Sequence, residues 1–219
     1  MKLSNIRTIY FDYDGTLHDS IKIYAPAFKK AYEFLVENNY AEPRLWRDEE
    51  IAKWLGYTSN EMWQNFMKDL EESARKEASS IIGKEMEKQI IGGNASLYDG
   101  ALDVLKQLKN KGYNLIFLSN CSINYMELSS KVFNLELFFN DMICSEMFNF
   151  IPKHEILSKI KEHYEMNQVI VGDRFHDIES AYKNNIESVF CQYGYGEKSE
   201  GLKSSLIIND IKDILWHFV

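Results

Sequence analysis

Ile6-Arg7-Thr8-Ile9-Tyr10-Phe11-Asp12-Tyr13-Asp14-Gly15-Thr16-Leu17 is the stretch whose reading decides the fold. Residues 6–11 are β-branched and aromatic, and they stop at an acidic turn containing glycine. A short apolar run ended this way reads as a buried strand. Working outward, residues 113–118 stop at Ser119-Asn120, residues 168–171 stop at Gly172-Asp173, and residues 188–192 run into Gly194-Tyr195-Gly196. Residues 142–145 form a shorter candidate, and residues 206–208 a possible sixth. Helical patterns fall between the strands. Residues 99–110 repeat Leu102, Leu105 and Leu108 before Gly112, residues 153–164 carry Ile156, Leu157 and Ile160, and residues 177–184 carry Ile178 and Ala181. Strands alternating with helices of this length predict an α/β fold, a doubly wound (Rossmann-like) parallel sheet covered on both faces.

Residues 20–95 break the alternation. Ala27, Ala31, Phe34 and Leu35 share a helix face, as do Met62, Phe66, Met67 and Leu70, and residues 69–91 are charged and helix-prone. The division expected is a catalytic core of residues 1–19 and 96–219 with a helical insert at 20–95. Residues 69–87 read as a solvated face. Leu55-Gly56-Tyr57-Thr58-Ser59 interrupts the helical pattern in the middle of the insert.

The chain has 219 residues, 45% of them hydrophobic, enough to build a core without staples. A net charge of −8 argues against nucleic acid and anionic membrane surfaces as partners. Cys121, Cys144 and Cys191 are too few and too scattered for a disulfide framework or a zinc cluster, and Cys144 and Cys191 fall in strand-like runs that predict burial. Residues 1–7 lack the apolar run of a leader, and no run is long enough to span a bilayer. A cytoplasmic protein is expected. There is no phosphate-binding P-loop, and Gly194-Tyr195-Gly196 lacks the spacing of a dinucleotide fingerprint.

In an open parallel sheet, ligands bind at the carboxyl ends of the strands. Those positions hold Asp12 and Asp14, Ser119 and Asn120, Lys153, and Asp173 with Asp177. Clustered carboxylates repel unless protonated or bridged by a cation. A hard ion such as Mg²⁺ accepts carboxylates together with phosphate oxygens, so the set suits a phosphoryl group. Each residue also has a plainer reading. Asp-x-Asp-Gly is a turn sequence, Ser119 and Asp177 are natural helix N-caps, and an isolated lysine usually lies on the surface. Arg174 reads as the partner of a neighbouring acid and His176 as a structural hydrogen-bonding residue. It is the occurrence of all four segments in order that favours chemistry.

Asp12-Tyr13-Asp14-Gly15-Thr16-Leu17, Ser119-Asn120, Lys153 and Gly172-Asp173-x-x-x-Asp177 resemble, in order and position, the four motifs of the haloacid dehalogenase-like hydrolase superfamily. The insert stands where the first subclass places its cap. Val171-Gly172-Asp173-Arg174-Phe175-His176-Asp177-Ile178 is similar to the phosphoglycolate phosphatase-like branch. The resemblance implies Asp12 as the nucleophile forming an aspartyl-phosphate and Asp14 as general acid and base. It implies Thr16, Ser119 and the Asn120 backbone N–H on phosphate oxygens, with Gly15 permitting the turn. Lys153 would neutralise the phosphoryl group. Mg²⁺ would be held by Asp12, the Asp14 carbonyl and Asp173, with Asp177 a ligand or its partner. An acid at Asp14 points to phosphate chemistry, because an alkoxide leaving group needs a proton. His154 after Lys153, where the family often has proline, and Cys121 after Asn120 are departures that touch no catalytic group.

The activity expected is Mg²⁺-dependent hydrolysis of a small phosphorylated metabolite, by a monomer or homodimer. Tyr57, with Thr58 and Ser59, is expected to face the site and select substrate. The alternatives are a β-phosphoglucomutase-like phosphomutase and, more remotely, a non-catalytic module binding a phosphorylated ligand.

Overall fold

The computed structural model describes Leu3 and residues 5–218. The leader reading of residues 1–7 therefore falls partly outside the described residues. The sheet has six strands: β1 (Thr8–Phe11), β2 (Asn114–Ser119), β3 (Asp141–Cys144), β4 (Gln168–Gly172), β5 (Glu187–Cys191) and β6 (Leu206–Ile208). Every pairing is parallel, in the order β3-β2-β1-β4-β5-β6. This is the doubly wound architecture expected from the sequence, and the chain reverses direction across the sheet beside β1.

The apolar runs explain the layers. Tyr10 lies in register with Ile116 and Ile170, and all three enter one hydrophobic cluster with Ile156, Leu157 and Ile160. Their neighbours Ile9, Phe11, Leu115, Phe117, Val169 and Val171 point to the opposite face, into a cluster with Val104, Leu105 and Leu108. Both faces of the central strands are thus covered, as unbroken apolar strands require. The covering helices are α5 (Ala101–Asn110), α6 (Ile123–Phe133), α7 (Lys153–Ile160) and α8 (Phe175–Asn184).

Some boundaries differ from the sequence reading. β1 starts at Thr8 because Arg7 and its neighbours hold only flanking backbone contacts, Arg7 N–H to Asn167 O and Asn114 N–H to Arg7 O. α7 ends at Ile160, and residues Lys161–His163 tighten into a 3₁₀ turn. Ser119 ends β2, while Ser122 accepts the Tyr125 N–H and caps α6. Asp177 lies in the first turn of α8, where its Oδ2 accepts the Arg174 N–H at 3.1 Å. Neither is therefore the N-cap that the plainer reading made it. Cys144 and Cys191 are buried, as expected.

The insert contains α1 (Ile21–Glu37), α2 (Asp48–Ala52), α3 (Ser59–Phe66) and α4 (Glu72–Ile91). It has a hydrophobic cluster of its own around Phe28, Leu35, Ile51, Trp63, Ala78 and Ile82. α4 corrects the expectation of a solvated face. Ala74, Ala78 and Ile82, at i, i+4 spacing, and Glu85, three residues further on, are buried, and Glu85 receives Lys30 Nζ at 2.8 Å.

α3 starts with a capping box: the Thr58 hydroxyl accepts the Glu61 N–H and Glu61 Oε2 accepts the Thr58 N–H at 2.9 Å. Burial would raise the Glu61 carboxyl, but His176 and these hydrogen bonds outweigh it and bring it down to about 2. Its contribution is present above the ordinary carboxylate range and is lost as pH falls toward 2. Thr58→Ala is expected to cost about 1 kcal/mol and to lower the melting temperature by roughly 2–4 °C at pH 7, measured by calorimetry.

Candidate active site

Two neighbouring central strands, β1 and β4, and the helices α7 and α8 deliver the charged groups. Asp12 follows β1 directly, its N–H bonded to Val171 O at 2.9 Å, and Asp173 follows β4. Lys153 is the first residue of α7, and Asp177 comes from the first turn of α8. Asp12, Lys153, Asp173 and Asp177 are all buried. Lys153 Nζ lies 2.9 Å from Asp12 Oδ1 and 2.7 Å from Asp177 Oδ1. Asp173 accepts the Thr16 hydroxyl on Oδ1 at 3.3 Å and the Tyr195 N–H on Oδ2 at 2.6 Å.

One ammonium touches two of the three buried carboxylates. Burial pushes the Asp12 carboxyl up to about 6, with Lys153 opposing the shift and Asp177 adding to it. Burial, then the charges of Asp12 and Asp177, hold Asp173 well above the usual carboxylate range. Burial alone would discharge Lys153, but the two carboxylates outweigh it and raise its pKa. Oxygens of Asp12, Asp173 and Asp177 all lie within 4.8 Å of one another. An all-oxygen set with excess negative charge fits a hard divalent cation.

Asp14 stands apart from this cluster. Its Oδ1 accepts the Tyr125 hydroxyl at 2.7 Å and faces His18 Nδ1 at 3.2 Å. Gly15 separates it from the metal-type cluster with φ +80°, and a Cβ there would sit 2.2 Å from Asp173 Oδ2. Side chains other than hydrogen are excluded on both counts. Gly194 is held equally close, since its Cβ would meet Asp173 Cβ at 2.3 Å. The Gly194-Tyr195-Gly196 loop is thus a backbone clamp on Asp173.

Ser119 and Asn120 line the cavity beside Asp14, together with Tyr57. Asn120 Nδ2 donates to Gly56 O at 3.1 Å, so its side chain holds the insert. Arg174 does the same. It donates to Leu55 O and to Lys53 O, lies over the Tyr57 ring, and pairs with Glu200 at 3.2 Å. The expected acid partner of Arg174 is therefore Glu200. His176 packs edge-on against Tyr57 and stands 3.5 Å from Glu61.

Sequence reasoning missed His18, Tyr125 and Tyr195. The Tyr195 hydroxyl accepts the Ile21 N–H at 3.0 Å and reaches Asp19 at 3.2 Å, tying the start of α1 to the loop on Asp173. No motif marks these residues: Tyr125 and Tyr195 act across long stretches of chain, whereas His18 meets Asp14 from four residues further on.

Fold, strand-end acids and buried lysine together define a class of hydrolase, and the haloacid dehalogenase-like hydrolase family model matches residues 9–191. The chain belongs to that family. Among relatives, it is 24% identical over 219 residues to a pyrophosphatase PpaX of Oceanobacillus iheyensis, covering 96% of each chain. It is 28% identical over 200 residues to a phosphoglycolate phosphatase of Aquifex aeolicus, covering 87% of this chain and 86% of that one. A predicted phosphatase from Clostridium acetobutylicum shares the fold with a TM-score of 0.81 at 20% identity, covering 96% and 97% of the two chains.

Proposed function

We propose that this hydrolase is a Mg²⁺-dependent phosphatase that cleaves a small phosphate monoester in the cytoplasm through an aspartyl-phosphate. The observation carrying the reading is the separation of two acids from one turn. Asp12 is held by Lys153 among the buried carboxylates, while Asp14 is held by Tyr125 and His18 outside them. That is a division between nucleophile and proton carrier. The names of the phosphoglycolate phosphatase and pyrophosphatase relatives support the same chemistry. No helix among the described residues is long and apolar enough to cross a membrane.

Asp12 Oδ attacks phosphorus, the ester oxygen departs, and Asp14 gives it a proton. Asp14 then takes a proton from water, whose oxygen attacks phosphorus and releases Asp12. Ser119 and the Asn120 N–H bind phosphoryl oxygens, while Lys153 neutralises them. Thr16 steadies Asp173 through its hydroxyl and binds phosphate from the same turn. Asp12, the Asp14 carbonyl and Asp173, with Asp177 beside them, would hold a divalent ion, which would supply further charge neutralisation. Residues 20–95 act as a cap over a core of residues 1–19 and 96–219, and Tyr57 selects the leaving group.

Phosphate release from p-nitrophenyl phosphate tests the proposal. Activity is expected with Mg²⁺, to vanish with EDTA, and to return when Mg²⁺ is restored. Equal rates with and without the chelator would overturn the metal reading.

A further inference from the structure

A cavity of about 290 Å³ lies between the insert and the sheet edge, at the small end of ligand sites. Asp14, Ser119 and Asn120 line it on the core side. Tyr24, Trp54, Tyr57, Met62, Ile82 and Met86 line it on the insert side. Among the described residues that line it, none is lysine, arginine or histidine, and its charged members are Asp14 and Glu87.

A proton donor must lie within hydrogen-bonding reach of the leaving oxygen. On the phosphatase reading, on which this inference rests, Asp14 is that donor, so the leaving group occupies this cavity. An anionic leaving group here would meet the Glu87 carboxylate, aromatic rings and thioethers, with no cation among the lining residues to replace its lost water. The adjoining cleft carries Arg75, Lys76 and Lys153, none of which lines this cavity. Arg75 Nη2 donates to Lys68 O and Leu70 O at 3.2 and 3.1 Å, Lys76 pairs with Glu72 at 2.6 Å, and Lys153 is held by Asp12 and Asp177.

We infer that the cavity selects phosphate monoesters whose leaving group is uncharged and apolar for most of its surface. It rejects leaving groups that carry a carboxylate or a second phosphate. In this the chain departs from what the names of its phosphoglycolate phosphatase and pyrophosphatase relatives indicate for them.

The test compares 2-phosphoglycolate with its carboxamide, which match in size and differ in charge, at pH 7 with Mg²⁺. p-Nitrophenyl phosphate serves as a common reference. kcat/KM for the amide is expected to exceed that for the acid by about 100-fold or more. Gly83 lies on α4 at the cavity, and a Cβ there meets nothing within 4 Å, so Gly83→Lys adds a cation without a clash. This variant is expected to cut the ratio at least about tenfold by raising turnover of the acid, and Glu87→Gln to cut it less. An acid turned over as fast as the amide would overturn the inference and leave the phosphatase reading standing. A ratio unmoved by both variants would overturn it too. If no compound, p-nitrophenyl phosphate included, released phosphate in an Asp12-dependent way, the phosphatase reading would fall and the inference with it.

Discussion

Asp12→Asn is expected to lower phosphate release from p-nitrophenyl phosphate by at least about 10⁴-fold, the scale of losing a nucleophile. The amide keeps the shape of the side chain but is too weak a nucleophile to take the phosphoryl group. The fold should survive. Lys153 keeps its 2.7 Å contact with Asp177, and one of three mutually repelling carboxylates is gone. Burial raises the Asp12 carboxyl in the folded chain from an ordinary 3.8 to about 6. The folded form thus holds the carboxyl proton more firmly than the unfolded one, and the ionised carboxylate opposes folding above this range. Asp12→Asn removes that opposition, so its melting temperature at pH 7.5 should equal or exceed that of the parent. A variant that kept ordinary turnover would remove Asp12 from the reaction.

Lys153→Met is the opposite case. It deletes the ammonium that touches both Asp12 and Asp177 and leaves three buried carboxylates with no cation among the contacting side chains. Breaking a buried pair from one side costs about 3–5 kcal/mol. For a chain of this size that is a fall of roughly 6–20 °C in melting temperature at pH 7.5, along with loss of turnover. The deficit should shrink as pH is lowered toward 5, because protonation of Asp12 and Asp173, both already raised, relieves the repulsion. Thermal scans of parent and variant across pH check this. A deficit that was constant with pH, or absent, would show that Lys153 does not balance the cluster.

The sheet was legible because its strands are apolar runs with sharp ends, and the site because its acids and lysine stand just beyond those ends. The partners of Asp14 were not legible. Tyr125 and His18 meet across a separation of 107 residues, brought together by the packing of α6 on the turn after β1. The clasp on the insert was hidden for another reason. Arg174 and Asn120 grip the backbone carbonyls of Lys53, Leu55 and Gly56, which any sequence would provide. α4 misled because Ala74 and Ala78 are too small to mark a buried face among so many charges, yet small residues are what let it approach α1 closely.

The two acids also separate in time, which makes the central claim measurable. p-Nitrophenolate departs with little help from a proton, whereas the second step needs Asp14 to activate water. The Asp14→Asn variant should therefore react once and stall. Peptide mass spectrometry of that variant, quenched after mixing with p-nitrophenyl phosphate and Mg²⁺, is predicted to find one phosphoryl group, carried on Asp12. A phosphoryl group on any other residue, or continued turnover with Asp12 unmodified, would contradict the account.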